Sequence, residues 1–259
     1  MDCSFEVFSG HYQNEYSKDA MRRRMDWLCE KANGIVLDVG CSQGLLPWLL
    51  GHRGVQVVGI DCDIDAIAWA RENLQKADST AIENITLLCE DFLCFSPKET
   101  YDTIVAGEYL EHLPDEMLDK HLAHMAELLS LHGHVLITVP LGLHPHPDHY
   151  QVFLPTNFVE KIGRYFSIRY FDVEDVCLRC ICDLSRPFLK PSPEHLLTLA
   201  EKGILQLQTK VAAGKRAVKV KELQKRENIE AFLRQPQIQI KENPLRNKLA
   251  SKGLFAPYI

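Results

Sequence analysis

The chain predicts an α/β protein, a doubly wound and mostly parallel sheet followed by a helical C-terminal extension. Three observations carry this. Residues 1–183 alternate short β-branched runs with stretches whose apolar residues recur at helical spacing, the pattern of a parallel sheet covered on both faces. Several of the apolar runs end at Gly or Asp, where a strand hands over to a loop. Near Leu184 the charge reverses. Residues 184–259 carry 15 Lys and Arg against 6 Asp and Glu, leaving 14 and 29 for residues 1–183 out of 29 and 35 in the whole chain. A step from −15 to +9 marks the boundary between an acidic domain, 1–183, and a basic extension, 184–259.

The strands are expected at GIVLDVG (34–40), VQVVGID (55–61), NITLLCED (84–91), YDTIVAGE (101–108) and HVLITVP (134–140), each too short for a buried helix. Between them, Asp63–Ala77 sets Ile67, Ala70, Leu74 and Ala77 at helical spacing, with Arg71, Glu72 and Lys76 elsewhere on the cylinder. Pro114–Leu131 repeats the pattern through Leu118, Leu122, Met125 and Leu129. Asn157 with Glu160 predicts a capped helix through Ile162. SIRYF (167–171) and VCLRCICDL (176–184), split by an acidic turn, predict a closing hairpin. PFLKPSPEH, which holds His195, then reads as a linker. Leu197, Ile204, Val211 and Val218 follow every seven residues, but Gly214 and Lys221 break the heptad, so a helical hairpin or docking helix is expected. Pro236 and Pro244 end regular structure, and GLFAPYI is apolar enough to dock.

No apolar run reaches the ~18–20 residues that span a bilayer, and the first residues lack a secretory h-region. Nine cysteines, an odd number scattered from Cys3 to Cys182, point to reduced thiols and a cytoplasmic protein. The acidic domain excludes polyanion binding without help from the tail.

GIVLDVGCSQGLLPWLL carries the function. A strand containing Asp38 turns through Gly40, Cys41, Ser42, Gln43 and Gly44 into an apolar helix. Glycines there allow unusual backbone angles and close approach of a ligand. The spacing is D-x-G-x-x-x-G rather than the dinucleotide G-x-G-x-x-G, and an acid at this junction suits a ligand with an ammonium and a sulfonium better than a pyrophosphate. Asp61 ends the next strand, at the ~20-residue spacing expected of a ribose-binding acid.

This stretch resembles motif I of class I S-adenosylmethionine-dependent methyltransferases, where a third glycine usually stands in place of Ser42. The resemblance spans roughly residues 12–172 and includes small-molecule O-methyltransferases of the ubiquinone-pathway type. It implies a Rossmann-like fold with a seven-stranded sheet, S-adenosyl-L-methionine as cofactor and S-adenosyl-L-homocysteine as product. By motif, Asp38, Gly40 and Gly44 would line the methionine and sulfonium end, Asp61 would grip the ribose, and Asp91 with Phe92 would flank adenine. Cys41, Ser42 and Cys62 would complete the cofactor site. Glu108, in GEYLEHLPD (107–115), would lie close to the methionine moiety.

Two constellations bear on the acceptor. His144, His146, Asp148 and His149 spell H-x-H-x-D-H, the zinc signature of metallo-β-lactamase-like hydrolases. Here it follows a fifth strand instead of opening a fold, and only His195 lies downstream as a further ligand. The methyltransferase resemblance instead puts His149, ahead of Phe153, in the acceptor loop, where a histidine serves as general base for a hydroxyl. Glu108, Glu111 and His112 form E-x-x-E-H, which with a later histidine resembles the metal set of small-RNA 3′-terminal 2′-O-methyltransferases and a site in ubiquinone-pathway enzymes. The same letters occur widely without metal, so the expectation is no metal, with Glu108 at the cofactor and His112 as a pocket wall. Cys177 points opposite to Cys180 and Cys182 on a strand, which disfavours zinc there. His149 and His112 are the candidate catalytic residues.

The expected reaction is in-line methyl transfer to a small-molecule or saccharide acceptor. One alternative is RNA 2′-O-methylation, with Lys215, Arg216, Lys219, Lys221, Lys225 and Arg226 on phosphates, although Glu222, Glu227 and Glu230 intervene. Another is a scaffold or homodimer acting through the extension. No membrane partner is expected.

Overall fold

The computed structural model describes residues 15–74, 79–142 and 148–212, with side chains for 18–74, 81–142 and 148–212. The strands are β1 Val36–Val39, β2 Val57–Asp61, β3 Ile85–Cys89, β4 Tyr101–Gly107, β5 Leu129–Pro140, β6 Ser167–Glu174 and β7 Cys177–Asp183. The helices are α1 Glu15–Lys31, α2 Leu45–Gly51, α3 Ile64–Leu74, α4 Ser79–Ile82, α5 Asp115–Leu128, α6 Pro155–Ile162 and α7 over 193–212. They form one seven-stranded sheet of order β3-β2-β1-β4-β5-β7-β6. Strands β1 to β5 run parallel, whereas β7 is antiparallel to β5 and to β6. This is the sheet that the resemblance implies.

Both faces are covered. Trp27 and Leu28 of α1, Leu46 and Leu50 of α2 and Ile67 and Ala70 of α3 pack with Val36, Val57, Val105 and Leu136 on one side. Leu118, Leu122 and Met125 of α5 and Phe158 and Ile162 of α6 pack with Leu37, Ile60, Ile104 and Ile137 on the other. Double coverage is why the strands are continuous apolar runs without alternation. Strand order reverses between β1 and β4, so the crevice for a ligand opens at their carboxyl ends.

Several boundaries differ from the sequence expectation. The helix expected to reach Leu131 ends at Leu128, because Leu129 turns extended (φ −78°, ψ 134°) and opens β5 five residues before His134. Asn157 is not the cap of α6 but its third residue. Pro155 occupies the first turn, and the Asn157 carboxamide reaches back to accept from Leu154 N (2.7 Å) and donate to Val152 O (2.8 Å). The expected linker holds the start of α7: Ser192 Oγ accepts from His195 N, and His195 Nε2 donates to Phe171 O at 3.1 Å. His195 is therefore tied to the sheet through its ring.

Contacts divide the chain into units 1–210 and 211–259, so the first turns of α7 belong with the sheet although they follow the charge step. Leu199 is buried and Lys202 pairs with Asp172, while Leu197, Ile204 and Val211 face outward. Val218, the basic cluster, Pro236, Pro244 and the apolar terminus lie outside the described residues, as do Lys76 and Ala77. Among the described residues no helix is long and apolar enough to cross a membrane.

Gly59 of β2 supports the loop after β1, since a methyl added there would stand 2.9 Å from Cys41 Sγ and 3.0 Å from Leu87 and Pro47 carbons. Gly59→Ala is expected to lower stability by about 1–3 kcal/mol, the cost of overpacking, read as a reduced Tm. An unchanged Tm would show that the neighbours yield freely.

Candidate active site

The β1–α2 loop takes three left-handed residues, Gly40 (φ 74°), Ser42 (φ 48°) and Gly44 (φ 74°). Two are glycines, but Ser42 pays the steric cost of a Cβ in that region. Asp61 holds it there. Its Oδ2 accepts from Ser42 N at 2.8 Å while Oδ1 accepts from Asp63 N at 2.9 Å. Gly40 N and Cys41 N donate to Ile60 O, so the whole loop hangs from the end of β2. The Cys41 side chain turns inward and is buried beneath the loop. Asp38 is 5% exposed, and burial together with the Asp61 charge pushes its carboxyl up to about 7.

The two glycines serve different neighbours. A methyl on Gly44 would lie 3.2 Å from Ala70 Cβ, so this position lets α2 start close against α3. A methyl on Gly40 would lie 2.3 Å from Tyr109 Cδ2. The Tyr109 ring lies directly on Gly40. Burial first, then the acidic groups Cys62, Asp61 and Asp91, raise its hydroxyl pKa. Tyr109 carries no motif signal and was missed in the sequence. Asp91 caps the short turn Phe92–Cys94 by accepting from Leu93 N at 2.9 Å. The Phe92 ring is 4% exposed, stacks on His121 and meets His124 edge to face, so it belongs to the core. Cys62 is exposed beside Asp61.

Glu108 follows β4 in a left-handed conformation (φ 54°). Its carboxylate meets Arg24 of α1 at 3.0 Å and accepts from Cys177 Sγ at 3.4 Å. Arg24 was also missed. It sits in a run of three arginines with no spacing to distinguish it. Cys180 and Cys182 pack into the core on the opposite face of β7 from Cys177, so the three thiols do not converge.

Glu111, His112 and His149 come together, with one ligand atom from each within 4.8 Å of the others. Glu111 is 1% exposed, and among the described residues its carboxylate oxygens accept no hydrogen bond from a neighbour. Burial, then the Glu108 charge, raises its pKa well above the ordinary carboxylate range. His112 Nδ1 lies 3.0 Å from Asp148 O, which can only accept, so Nδ1 carries the proton and Nε2 the lone pair. The His112 and His149 rings stand edge to face at 4.8 Å. Tyr150 N and Gln151 N both donate to Glu111 O, pinning the segment after His149 to the turn holding Glu111 and His112. His144 and His146 lie outside the described residues.

Asp38 makes a pH-dependent prediction. Its folded pKa lies above the ordinary value of 3.8, so its contribution to stability is complete below pH 4 and is lost as pH rises through 7. Asp38→Asn is expected to gain stability relative to wild type between pH 5 and 8, up to roughly 4 kcal/mol, measured as a widening Tm difference. A constant difference would contradict the burial argument.

The methyltransferase domain family matches residues 9–173. Over 119 residues the chain is 32% identical to a ubiquinone biosynthesis O-methyltransferase of Aliivibrio fischeri, covering 44% of this chain and 49% of that protein. Over 103 residues it is 35% identical to the enzyme of the same name from Actinobacillus pleuropneumoniae, covering 36% and 43%. The chain thus spans about half the length of the curated relatives it matches. Among solved structures, a glycopeptide N-methyltransferase bound to S-adenosyl-L-homocysteine superposes with TM-score 0.56 at 13% identity, covering 63% of this chain and 86% of that one. Magnesium protoporphyrin IX methyltransferase of Synechocystis PCC 6803 superposes with TM-score 0.53 at 20% identity, covering 70% and 93%. These last two speak for the fold alone. Matched over more than half its length, this chain belongs to the methyltransferase domain family, the S-adenosylmethionine-dependent class I group with a Rossmann-like fold.

Proposed function

We propose that the protein transfers the methyl group of S-adenosyl-L-methionine to a hydroxyl of a small-molecule or saccharide acceptor. The observation that carries the reading is the Asp61 carboxylate, which fixes the left-handed loop at Ser42 and faces the crevice at the end of β2. In this reading Asp61 takes the ribose hydroxyls, Asp91 lies beside the adenine, and Asp38, Gly40 and Glu108 surround the methionine end. Cys41, Ser42 and Gly44 contribute backbone, and Cys62 flanks the ribose. The names of the curated relatives support an oxygen acceptor. Free thiols at all the described cysteines fit a cytoplasmic setting.

The sulfonium is already activated, so the residues chiefly align the reactants and exclude water. A hydroxyl of ordinary acidity also needs a proton acceptor. His149 and His112 stand beyond Glu108 on the segments joined through Glu111 O, and the lone pair of His112 Nε2 suits that task.

A second reading rests on Glu111. A buried carboxyl whose oxygens accept from no neighbour among the described residues, beside two imidazoles, fits a divalent cation. Glu111, His112 and His149 would hold it, and its chemistry would be to acidify the acceptor hydroxyl. The two histidines would then be ligands and not bases. The phosphate-binding version of this idea depends on tail residues that lie outside the described ones, and the small-molecule acceptor leads.

Calorimetry tests the cofactor reading. Micromolar binding of S-adenosyl-L-homocysteine, lost in Asp61→Ala, is expected. Failure of folded wild type to bind sinks it. A chelator separates the two acceptor readings. Turnover that survives EDTA and falls at least 100-fold in His149→Ala points to the base. Turnover lost in EDTA and restored by Mn²⁺ or Mg²⁺ points to the cation.

A further inference from the structure

We propose that Asp175, on the outer hairpin, is a positioning residue for the methionine end of the cofactor site. By gripping Arg23 it sets α1 so that Arg24 meets Glu108. The inference rests on the reading that Glu108 and Arg24 border that end.

The hairpin turn is an unusual one. Asp175 (φ 54°) and Val176 (φ 61°) are both left-handed, and a β-branched residue there is costly. Asn-Gly would make the same turn with little strain. Such strain persists where surrounding contacts over-determine it, and here they do. Val176 N donates to Gln206 Oε1 at 3.0 Å, and Val176 O accepts from Leu141 N at 2.9 Å, fixing the turn to α7 and to the residue after β5. The Asp175 side chain, 14% exposed, takes Arg23 in a two-bond grip, Nε to Oδ2 at 2.8 Å and Nη2 to Oδ1 at 2.7 Å. Paired, planar geometry to a mostly buried carboxylate is the arrangement in which an ion pair orients its partner.

The orientation passes along α1. Residues 23, 24, 27 and 28 share the face toward the sheet. Arg179, 5% exposed, lies over the Trp27 ring at 5.7 Å with Nη2 3.7 Å from Asp175 Oδ2, so the carboxylate also anchors the next turn of the helix. Leu28 Cδ1 lies 3.5 Å from where a side chain on Gly107 would begin. With Arg23 and Trp27 fixed to the hairpin, Arg24 reaches the end of β4 and meets Glu108 at 3.0 Å.

The test compares S-adenosyl-L-homocysteine with 5′-methylthioadenosine, which carries the adenosine but no amino-acid end, by calorimetry on the full chain. Wild type, Asp175→Asn, Arg23→Gln and the double variant are measured. Each single substitution is expected to weaken homocysteine-ligand binding about tenfold, the double no more than either, as for one shared interaction. Methylthioadenosine affinity is expected to stay constant across all four. Equal losses for both ligands would reduce Asp175 to a structural role. Additive effects, or none, overturn the proposal outright. Arg23→Gln changes the more exposed partner and carries the same test if Asp175→Asn does not fold. Wild type binding neither ligand would instead refute the cofactor reading on which this one stands.

Discussion

The carboxylate of Asp61 is the constraint on which the site depends. A loop with a left-handed serine at its centre needs something to hold it, because the intrinsic preference of Ser42 opposes that conformation. Asp61 supplies it with one oxygen and orders the turn into α3 through Asp63 with the other. The same side chain thus builds the loop and presents itself to the crevice. The parallel sheet makes this economical: β1 and β2 end at the same level, register Val39 to Ile60, so the first loop and the second acid meet without any long excursion.

A second theme is uncompensated burial. Asp38 and Glu111 are both acids almost wholly withdrawn from water, at 5% and 1% exposure. Neither position gains stability from this, since a buried carboxyl favours its neutral form. Asp38 lies near the end of β1 behind the loop, and Glu111 in the short turn after β4 beside two histidines. Arg24 of α1 meets Glu108 after β4, and Arg179 of β7 lies over Trp27 beside Asp175, so each of these cationic side chains has an acid next to it.

How much of this was legible follows from distance along the chain. The strands, the loop and its glycines are local patterns, and they were readable. Asp61 was readable because β2 follows β1 directly. The order β5-β7-β6 follows from a hairpin between two runs that were visible, although the insertion of β7 beside β5 leaves no local trace. Side-chain direction was much less legible. Asp91 and Phe92 are adjacent, yet one caps a turn and the other enters the core behind it. Pairings across long separations were opaque: Arg23 and Asp175 are 152 residues apart, and neither belongs to a motif. The meeting of His112 with the Asp148 segment, 36 residues on, was guessable only as a list of residue types.

The N-terminal helix and α7 explain why the opaque part matters. Asp38 and Asp61 lie on strands of the sheet, and Asp91 and Glu108 in the turns that follow β3 and β4. What makes a closed site is added from outside it. Arg24 arrives on α1, and Gly203 of α7 presses on Leu141, where an added methyl would lie 2.1 Å from Cδ2. Leu141 in turn bridges to Phe153 next to the segment that presents His149. The segment that presents His149 is thus backed by a helix beyond the charge boundary, and Glu108 is met by a helix before the first strand. Because hydrophobic packing specifies only that such helices cover a face, their exact placement falls to a few directional contacts. Asp175 with Arg23, Gln206 with Val176 and Lys202 with Asp172 are those contacts, and all three fall on β6 and the hairpin turn that leads into β7. In this fold the antiparallel edge, which contributes no residue to the motifs, is what registers the two helices that complete the site.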